Sequence, residues 1–413
     1  MDRSLIILLF FTWSCQGTVS ERSTPNVIIF YADDLGWMDV GYNGNEYYET
    51  PNIDRLATEG IIFNQAYANA PFCSPSRASL LTGLYTPKHE VYIPGKSERG
   101  PKEAQRLTPP ENKHALDTSF FTMAEYFQIK GYKTGIIGKW HLGGKNHLPL
   151  YQGFDVNIGG TSSGKPKSYF SPYQDKTIKD GPPGEYLTDR LTEEAIGFID
   201  SHREKPFFLY LSHYAPHTPL EAKKELVDTY QGKLTHSSFF NPVYAAMVES
   251  LDQSLGRLQD FLNETGLAKN TILIFYSDNG GYALATSNEP PRGSKGNLYE
   301  GGIRVPMIVK WPQVITGGRE TDVVVSGVDL FPTFKELLEG ATPVEALDGE
   351  SLVSLWKSEP HDLHERPIFW YEPVYLDSYD SARYERDKIT HLIELTSYGR
   401  IKQKRSVEAL PGD

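Results

Sequence analysis

Cysteine is nearly missing from this chain: 413 residues contain two, Cys15 and Cys73. That scarcity excludes the disulfide framework on which small exported domains lean, so a packed core must carry stability. Long apolar runs are also missing, and none approaches the roughly 20 residues that a membrane-spanning helix needs. The run from Leu5 to Phe11 follows Arg3 and precedes small residues from Ser14 to Gly17, the three-part layout of a secretory signal. Residues 1–17 are therefore expected to be a signal peptide, with a secreted, periplasmic or lysosomal destination. Cys15 leaves with that segment or, in a second reading, holds a lipid, although Thr12-Trp13-Ser14 makes a poor lipidation box. Either way Cys73 stands alone, and an unpartnered thiol points to chemistry rather than to a bridge. Positive charge is in deficit as well. A formal net charge of -12 argues against nucleic-acid binding, which depends on clustered Lys and Arg, so an anionic ligand needs a local basic niche.

What the chain does have is length and apolar content for a large core, 39% of 413 residues, in one big domain with an appendage or in two domains. There is no repeat period and no low-complexity tract, and Asn263-Glu264-Thr265 fits a glycosylation acceptor. Four apolar runs end in polar, chemically capable residues. Val27–Tyr31 leads to Asp33 and Asp34, Thr134–Ile137 to Lys139 and His141, Phe207–Leu211 to His213 and His217, and Ile272–Tyr276 to Asp278 and Asn279. Such runs predict strands buried on both faces. Between them Phe120, Met123, Ala124 and Phe127 share a helical face that Asp117 or Thr118 can cap and Gly131 ends. A longer stripe, Val243 to Leu262, closes at Gly266. The alternation predicts an α/β fold, a large mixed sheet sandwiched by helices over residues 24–355. A small C-terminal α+β subdomain is expected over residues 360–413, where Arg400, Lys402, Lys404 and Arg405 read as a solvated surface. In open α/β sheets ligands bind beyond the carboxyl ends of the strands, so four chemically equipped ends can converge.

Asp33, Asp34, Asp278 and Asn279 together offer three carboxylates and an amide oxygen, which suits a hard divalent cation. Without one, mutual repulsion raises their pKa values. Loop acids and helix caps are the bland alternative for either pair. The stretch Cys73-Ser74-Pro75-Ser76-Arg77-Ala78-Ser79-Leu80-Leu81-Thr82-Gly83 predicts a helix starting near the thiol, with proline in its first turn. Cys73 then sits at the positive end of a helix dipole. Its alternative is a buried, inert cysteine. Direct thiolate attack is disfavoured, because Cys73 to Arg77 is shorter than the Cys-to-Arg loop of cysteine phosphatases.

Cys73 to Gly83 resembles the signature of the type I, formylglycine-dependent sulfatases, and of their arylsulfatase and N-acetylgalactosamine-6-sulfatase branch more than others. The likeness continues through Pro25–Gly36, Gly138-Lys139-Trp140-His141-Leu142-Gly143, Ala215-Pro216-His217-Thr218-Pro219, Ser277-Asp278-Asn279-Gly280-Gly281 and Gly293-Ser294-Lys295-Gly296 with Glu300-Gly301-Gly302. It implies an alkaline-phosphatase-like fold and a sulfuric ester hydrolase whose Cys73 a formylglycine-generating enzyme oxidises during export. By resemblance, Asp33, Asp34, Asp278 and Asn279 hold the cation with an oxygen of modified Cys73, Ca²⁺ ahead of Mg²⁺. One hydroxyl of the hydrated aldehyde, activated by the metal and a carboxylate such as Asp278, attacks sulfur. His141 then deprotonates the other. Arg77 holds the hydrate, Lys139 and Lys295 clamp the sulfate, His217 binds it and protonates the leaving oxygen, and Ser163 adds a contact. The implied substrate is a sulfated carbohydrate or an aryl sulfate, with specificity in the loops Tyr92–Leu116 and Thr161–Tyr186. Two other readings remain: a phosphomonoesterase or phosphodiesterase of the same superfold, and a sulfated-glycan binder whose Cys73 is never oxidised. Leu84 departs from the arginine usual at that place, which bears on how the signature helix is anchored, and the family's usual closing segment is missing from the C-terminal region.

Overall fold

Every residue of β1 (Asn26–Ala32) is buried, as an apolar run without polar alternation requires. The computed structural model describes residues 24–233, 240–340, 347–363 and 366–375, and the backbone of 391–395 and 401–405. The signal segment with Cys15, and the side chains of Arg400, Lys402, Lys404 and Arg405, lie outside the described residues. After β1 come β2 (Ile61–Phe63), β3 (Ala66–Tyr67), β4 (Lys133–Gly138), β5 (Val156–Ile158) and β6 (Phe207–Ser212). Then follow β7 (Thr271–Ser277), β8 (Met307–Lys310) and β9 (Arg319–Thr321). Eight of these form one sheet in the order β5-β4-β6-β1-β7-β8-β2-β9. The first five run parallel, and β8 lies antiparallel to both β7 and β2.

Because side chains alternate along a strand, β1 feeds two cores. Val27, Ile29 and Tyr31 face the layer of helices Cys73–Thr82, Met123–Ile129 and Leu330–Glu339. Ile28, Phe30 and Ala32 face Pro51–Glu59, Leu187–His202 and Pro242–Glu264. On the last of these, Met247, Leu251, Leu255 and Leu258 are wholly buried, each contributing about 2 kcal/mol of transfer free energy. This is the expected α/β sandwich.

One cap differs from the expectation. The helix Met123–Ile129 starts at Thr122, whose hydroxyl accepts from the Glu125 amide while Glu125 accepts from the Thr122 amide. Asp117 instead closes a local turn on the Ser119 amide. Thr122 wins because it supplies both halves of a reciprocal capping pair. Further on, β10 (Val325–Ser326) pairs in parallel with β3, β11 (Ile368–Tyr371) pairs with β12 (His391–Leu395), and β12 with β13 (Ile401–Arg405), the last two pairs antiparallel. Ile368 and Trp370 pack on Tyr67, Leu298 and Ile303.

Candidate active site

The parallel register aligns Ala32 with Ser277, Tyr31 with Ser212, and Gly138 with Ser212, so the residues that follow emerge at one edge. Gly138 has φ +101°, and a Cβ there would lie 1.9 Å from the Ser212 carbonyl oxygen. Only glycine lets β4 leave the sheet at this point and bring Lys139 to the edge.

Arg77, fully buried on the helix Cys73–Thr82, is the hub. Its Nε and Nη2 donate to Asp278 Oδ2 at 3.0 and 2.7 Å, Nη1 donates to Ser212 Oγ and to the Lys139 carbonyl, and the guanidinium stands 5.1 Å from the Tyr31 ring centroid. Lys139 Nζ lies 2.6 Å from Asp33 Oδ2, and Lys295 Nζ lies 2.7 Å from both Asp34 oxygens. Asn279 Nδ2 donates to Asp34 Oδ1 at 2.8 Å, and the Asp34 amide donates to Asp278 Oδ1. Cys73 Sγ is 3.3 Å from His141 Nδ1. His217 Nδ1 donates to the Thr218 carbonyl at 2.7 Å, which leaves Nε2 toward the site, 3.7 Å from Asp34 Oδ2.

Two oxygens in this cluster, Asp33 Oδ1 and Asn279 Oδ1, are buried without a hydrogen-bond partner. Ligand atoms of Asp33, Cys73 and Asp278 lie within 4.8 Å of one another, as do those of Asp33, Asp34 and His217. Orphaned, inward oxygens beside carboxylates are what a hard cation takes as ligands, so the residues fit one.

The carboxylates do not titrate alike. Burial pushes Asp33 up, helped by the Asp278 and Asp34 charges and opposed by Lys139. Burial also opposes ionisation of Asp34, yet Lys295, His217 and Lys139 outweigh it and hold that carboxyl well below the usual range. The expected uniform rise fails because Lys295 is paired with Asp34. Burial pushes the Cys73 thiol up, against the pull of Lys139 and Lys295, so the unmodified residue is a poor nucleophile. His141 is held far below its ordinary value by burial first and then by Lys139, Arg77 and Lys295, and it is neutral at pH 7. His217 is lowered to about 3, mainly by burial.

Asp34 and His141 adopt left-handed backbones, φ +67° and +59°, each costing about 1–3 kcal/mol in a non-glycine residue. The His141 amide donates to the Thr161 carbonyl, and Gly164 of the same loop packs so close that a Cβ there would stand 2.4 Å from the His141 Cε1. Not every foreseen residue joins. Ser163 is exposed, its hydroxyl donating to the Lys165 carbonyl at 2.6 Å. His213 turns to the opposite face, where Nε2 meets Ser254 and the ring packs on Phe30. Ser212 went unrecognised, although its place directly after an apolar run was the available signal. At Leu84 the helix is anchored by other means: Gly83 caps it at φ +68° and accepts the Asp348 amide, while Asp348 accepts from the Tyr85 amide and pairs with Lys88.

Residues 25–341 match the Sulfatase family, and residues 294–401 match N-sulphoglucosamine sulphohydrolase, C-terminal. The chain belongs to the sulfatase family. It is 33% identical to a sulfatase of Formosa agariphila over 88% of this chain and 78% of that one. With the N-acetylgalactosamine-6-sulfatase of Mus musculus it shares 34% over 84% and 68% of the two chains. The crystal structure of Ps i-CgsB in complex with k-i-k-neocarrahexaose superposes with a TM-score of 0.71 at 32% identity, covering 90% of this chain and 82% of that one. This sulfatase is accordingly a sulfuric ester hydrolase with the alkaline-phosphatase-like mixed sheet that the motifs implied, and the phosphoesterase alternative finds no support among these relatives. No helix among the described residues is long and apolar enough to cross a membrane.

Proposed function

We propose that the chain hydrolyses sulfate monoesters of sulfated carbohydrates, through Cys73 oxidised to formylglycine and a divalent cation, Ca²⁺ ahead of Mg²⁺. The observation that carries this is the setting of Cys73. Its thiol is disfavoured as a thiolate, yet it lies among Asp33, Asp278 and His141 with two lysines close by.

Asp33, Asp34, Asp278 and Asn279, with an oxygen of residue 73, would hold the cation. When present, the hydrated aldehyde beside that cation supplies an activated hydroxyl for attack on sulfur and a second hydroxyl for release of sulfate. Arg77 fixes Asp278 through two hydrogen bonds and keeps positive charge at the helix start. Lys139 and Lys295 bring ammonium groups to the sulfate oxygens, whose charge grows as the ester bond breaks. Neutral His141 takes the proton from the residue-73 hydroxyl, since its Nδ1 is the atom nearest that side chain. His217 keeps its Nδ1 proton on the Thr218 carbonyl and is neutral in the resting site, so Nε2 would first take up a proton, drawn by the charge of the bound sulfate, and then pass it to the leaving oxygen.

Two relatives guide the substrate class: one is named for N-acetylgalactosamine-6-sulfate chemistry, and the other was solved with a carrageenan oligosaccharide. The loops Tyr92–Leu116 and Thr161–Tyr186 would select among such sugars, Ser163 included. Tyr375 ties the first loop to the C-terminal segment, bonding Ser97, Arg99 and Leu107. Residues 360–413 would thus form a small subdomain that braces the substrate rim of a 24–355 catalytic unit, and residues 1–17 would direct export. The test is sulfate release from an aryl sulfate, a 6-sulfated galactosamine glycan and carrageenan oligosaccharides, beside matched phosphate esters. Faster cleavage of phosphate than of any sulfate would overturn the assignment, and tight glycan binding with no turnover by matured protein would favour the binder.

A further inference from the structure

Five residues beyond Asp34 lies a buried carboxyl that no step above uses. Asp39 Oδ2 accepts from the Gly36 amide at 2.8 Å and lies 2.6 Å from the Tyr244 hydroxyl, while Oδ1 accepts from Thr286 Oγ1 at 2.6 Å. Thr286 Oγ1 is itself 2.6 Å from the Tyr48 hydroxyl. Tyr244 rises from the helix Pro242–Glu264, and its hydroxyl also reaches the Asp34 carbonyl oxygen at 2.9 Å. One carboxyl therefore touches the turn carrying Asp34, the helix behind that turn, and the loop that follows Asn279.

That loop runs on to the second lysine. Gly281 exchanges two hydrogen bonds with Asn288, and its carbonyl accepts the Lys295 amide at 3.1 Å. A Cβ at Gly36 or Gly281 would stand 2.9 or 3.0 Å from Asp39 Oδ2, so the carboxyl is wedged between the two segments.

We propose that Asp39, acting through Tyr244, is a positioning residue that locks Asp34 in its left-handed conformation and thereby presets the cation site; this rests on the cation assignment made above. Proton counting supports the arrangement. Tyr244 has one hydroxyl proton and two oxygen neighbours, at 2.6 and 2.9 Å. The hydroxyl donates toward both, so its proton is shared and the side chain bridges the Asp39 carboxylate and the Asp34 carbonyl. Burial, against hydrogen bonds from Thr286 and Tyr244, pushes Asp39 up to about 6, which leaves it mostly ionised at pH 7, an acceptor for the Gly36, Thr286 and Tyr244 donors.

The experiment is calorimetric titration of Ca²⁺ into chelator-stripped, full-length protein. Tyr244→Phe removes the hydroxyl that reaches Asp34. Tyr48→Phe removes a hydroxyl from the far end of the same cluster and leaves the Asp34 contact alone. Tyr244→Phe should bind Ca²⁺ about tenfold more weakly or worse, the usual effect of losing an outer-shell partner, and Tyr48→Phe should keep wild-type affinity. Asp39→Ala, which removes the carboxyl that holds the Tyr244 hydroxyl, should weaken Ca²⁺ binding to a degree similar to Tyr244→Phe. Unchanged affinity in Tyr244→Phe, or equal weakening in both tyrosine variants, overturns the proposal alone. A wild-type protein that binds neither Ca²⁺ nor Mg²⁺ overturns the cation assignment and this proposal with it.

Discussion

Gly164 is the most economical place to perturb the chemistry without touching a reacting group. A Cβ added there would stand 2.4, 2.6 and 2.9 Å from Cε1, Nε2 and Nδ1 of His141. Ordinary carbon contacts lie near 3.5–4.0 Å, so the ring or the loop must give by about 1 Å. The ring has little freedom, because the His141 backbone is held at φ +59° and its amide is tied to Thr161. A shift of that size, applied to a group 3.3 Å from residue 73, should cost about 100-fold in kcat. The loop is partly exposed, so overpacking should cost no more than about 1–3 kcal/mol of stability. Steady-state hydrolysis of a chromogenic aryl sulfate, alongside thermal melting, measures both quantities. A Gly164→Ala enzyme with wild-type kcat would show that His141 is not the base or that the loop does not confine it. A loss of rate matched by a collapse in melting temperature would place the effect in folding.

Cys73→Ala should abolish turnover while melting within a few degrees of wild type, and activity measured on purified variant checks it. Lys295→Ala, assayed with Ca²⁺ present, should lose about 10²-fold or more in kcat, as expected when a donor to developing charge is removed. If kcat survives and only stability falls, the lysine serves Asp34 alone. Burial lowers His213 to about 3, whereas the unfolded chain takes up that proton near pH 6.5. The unfolded state therefore binds more protons between those values, and this residue's contribution to stability is present above about pH 6.5 and lost as pH falls toward 3. Urea midpoints at pH 7 and pH 5 should consequently fall less in His213→Gln than in wild type; parallel declines would exclude His213 as a source of the pH dependence.

The centre of the fold could be read from the sequence because its strands are buried on both faces and so appear as unbroken apolar runs. The sheet's margins could not: β9, Arg-Glu-Thr, is polar and pairs only because β2 lies beside it. The candidate site was legible where polar residues follow those runs, at Asp33, Asp34, Lys139, Asp278 and Asn279, which the register brings to one edge. It was not legible where a side chain acts across the fold. Tyr244, on a helix stripe, and Asp39, in a loop, carry no spacing that links them to residue 34. His213 and His217 look alike in sequence, but the turn after β6 sends one into the far core and the other to the site.

In the proposed reaction one thiol becomes an aldehyde, whose hydrate performs the displacement. Mass spectrometry of the peptide spanning Cys73, from protein coexpressed with a formylglycine-generating enzyme and assayed on an aryl sulfate before digestion, tests it directly. The account predicts that residue 73 has lost its sulfur and carries an aldehyde, in proportion to the activity of each preparation. An intact sulfhydryl in a preparation that still turns over sulfate ester at full rate would contradict it.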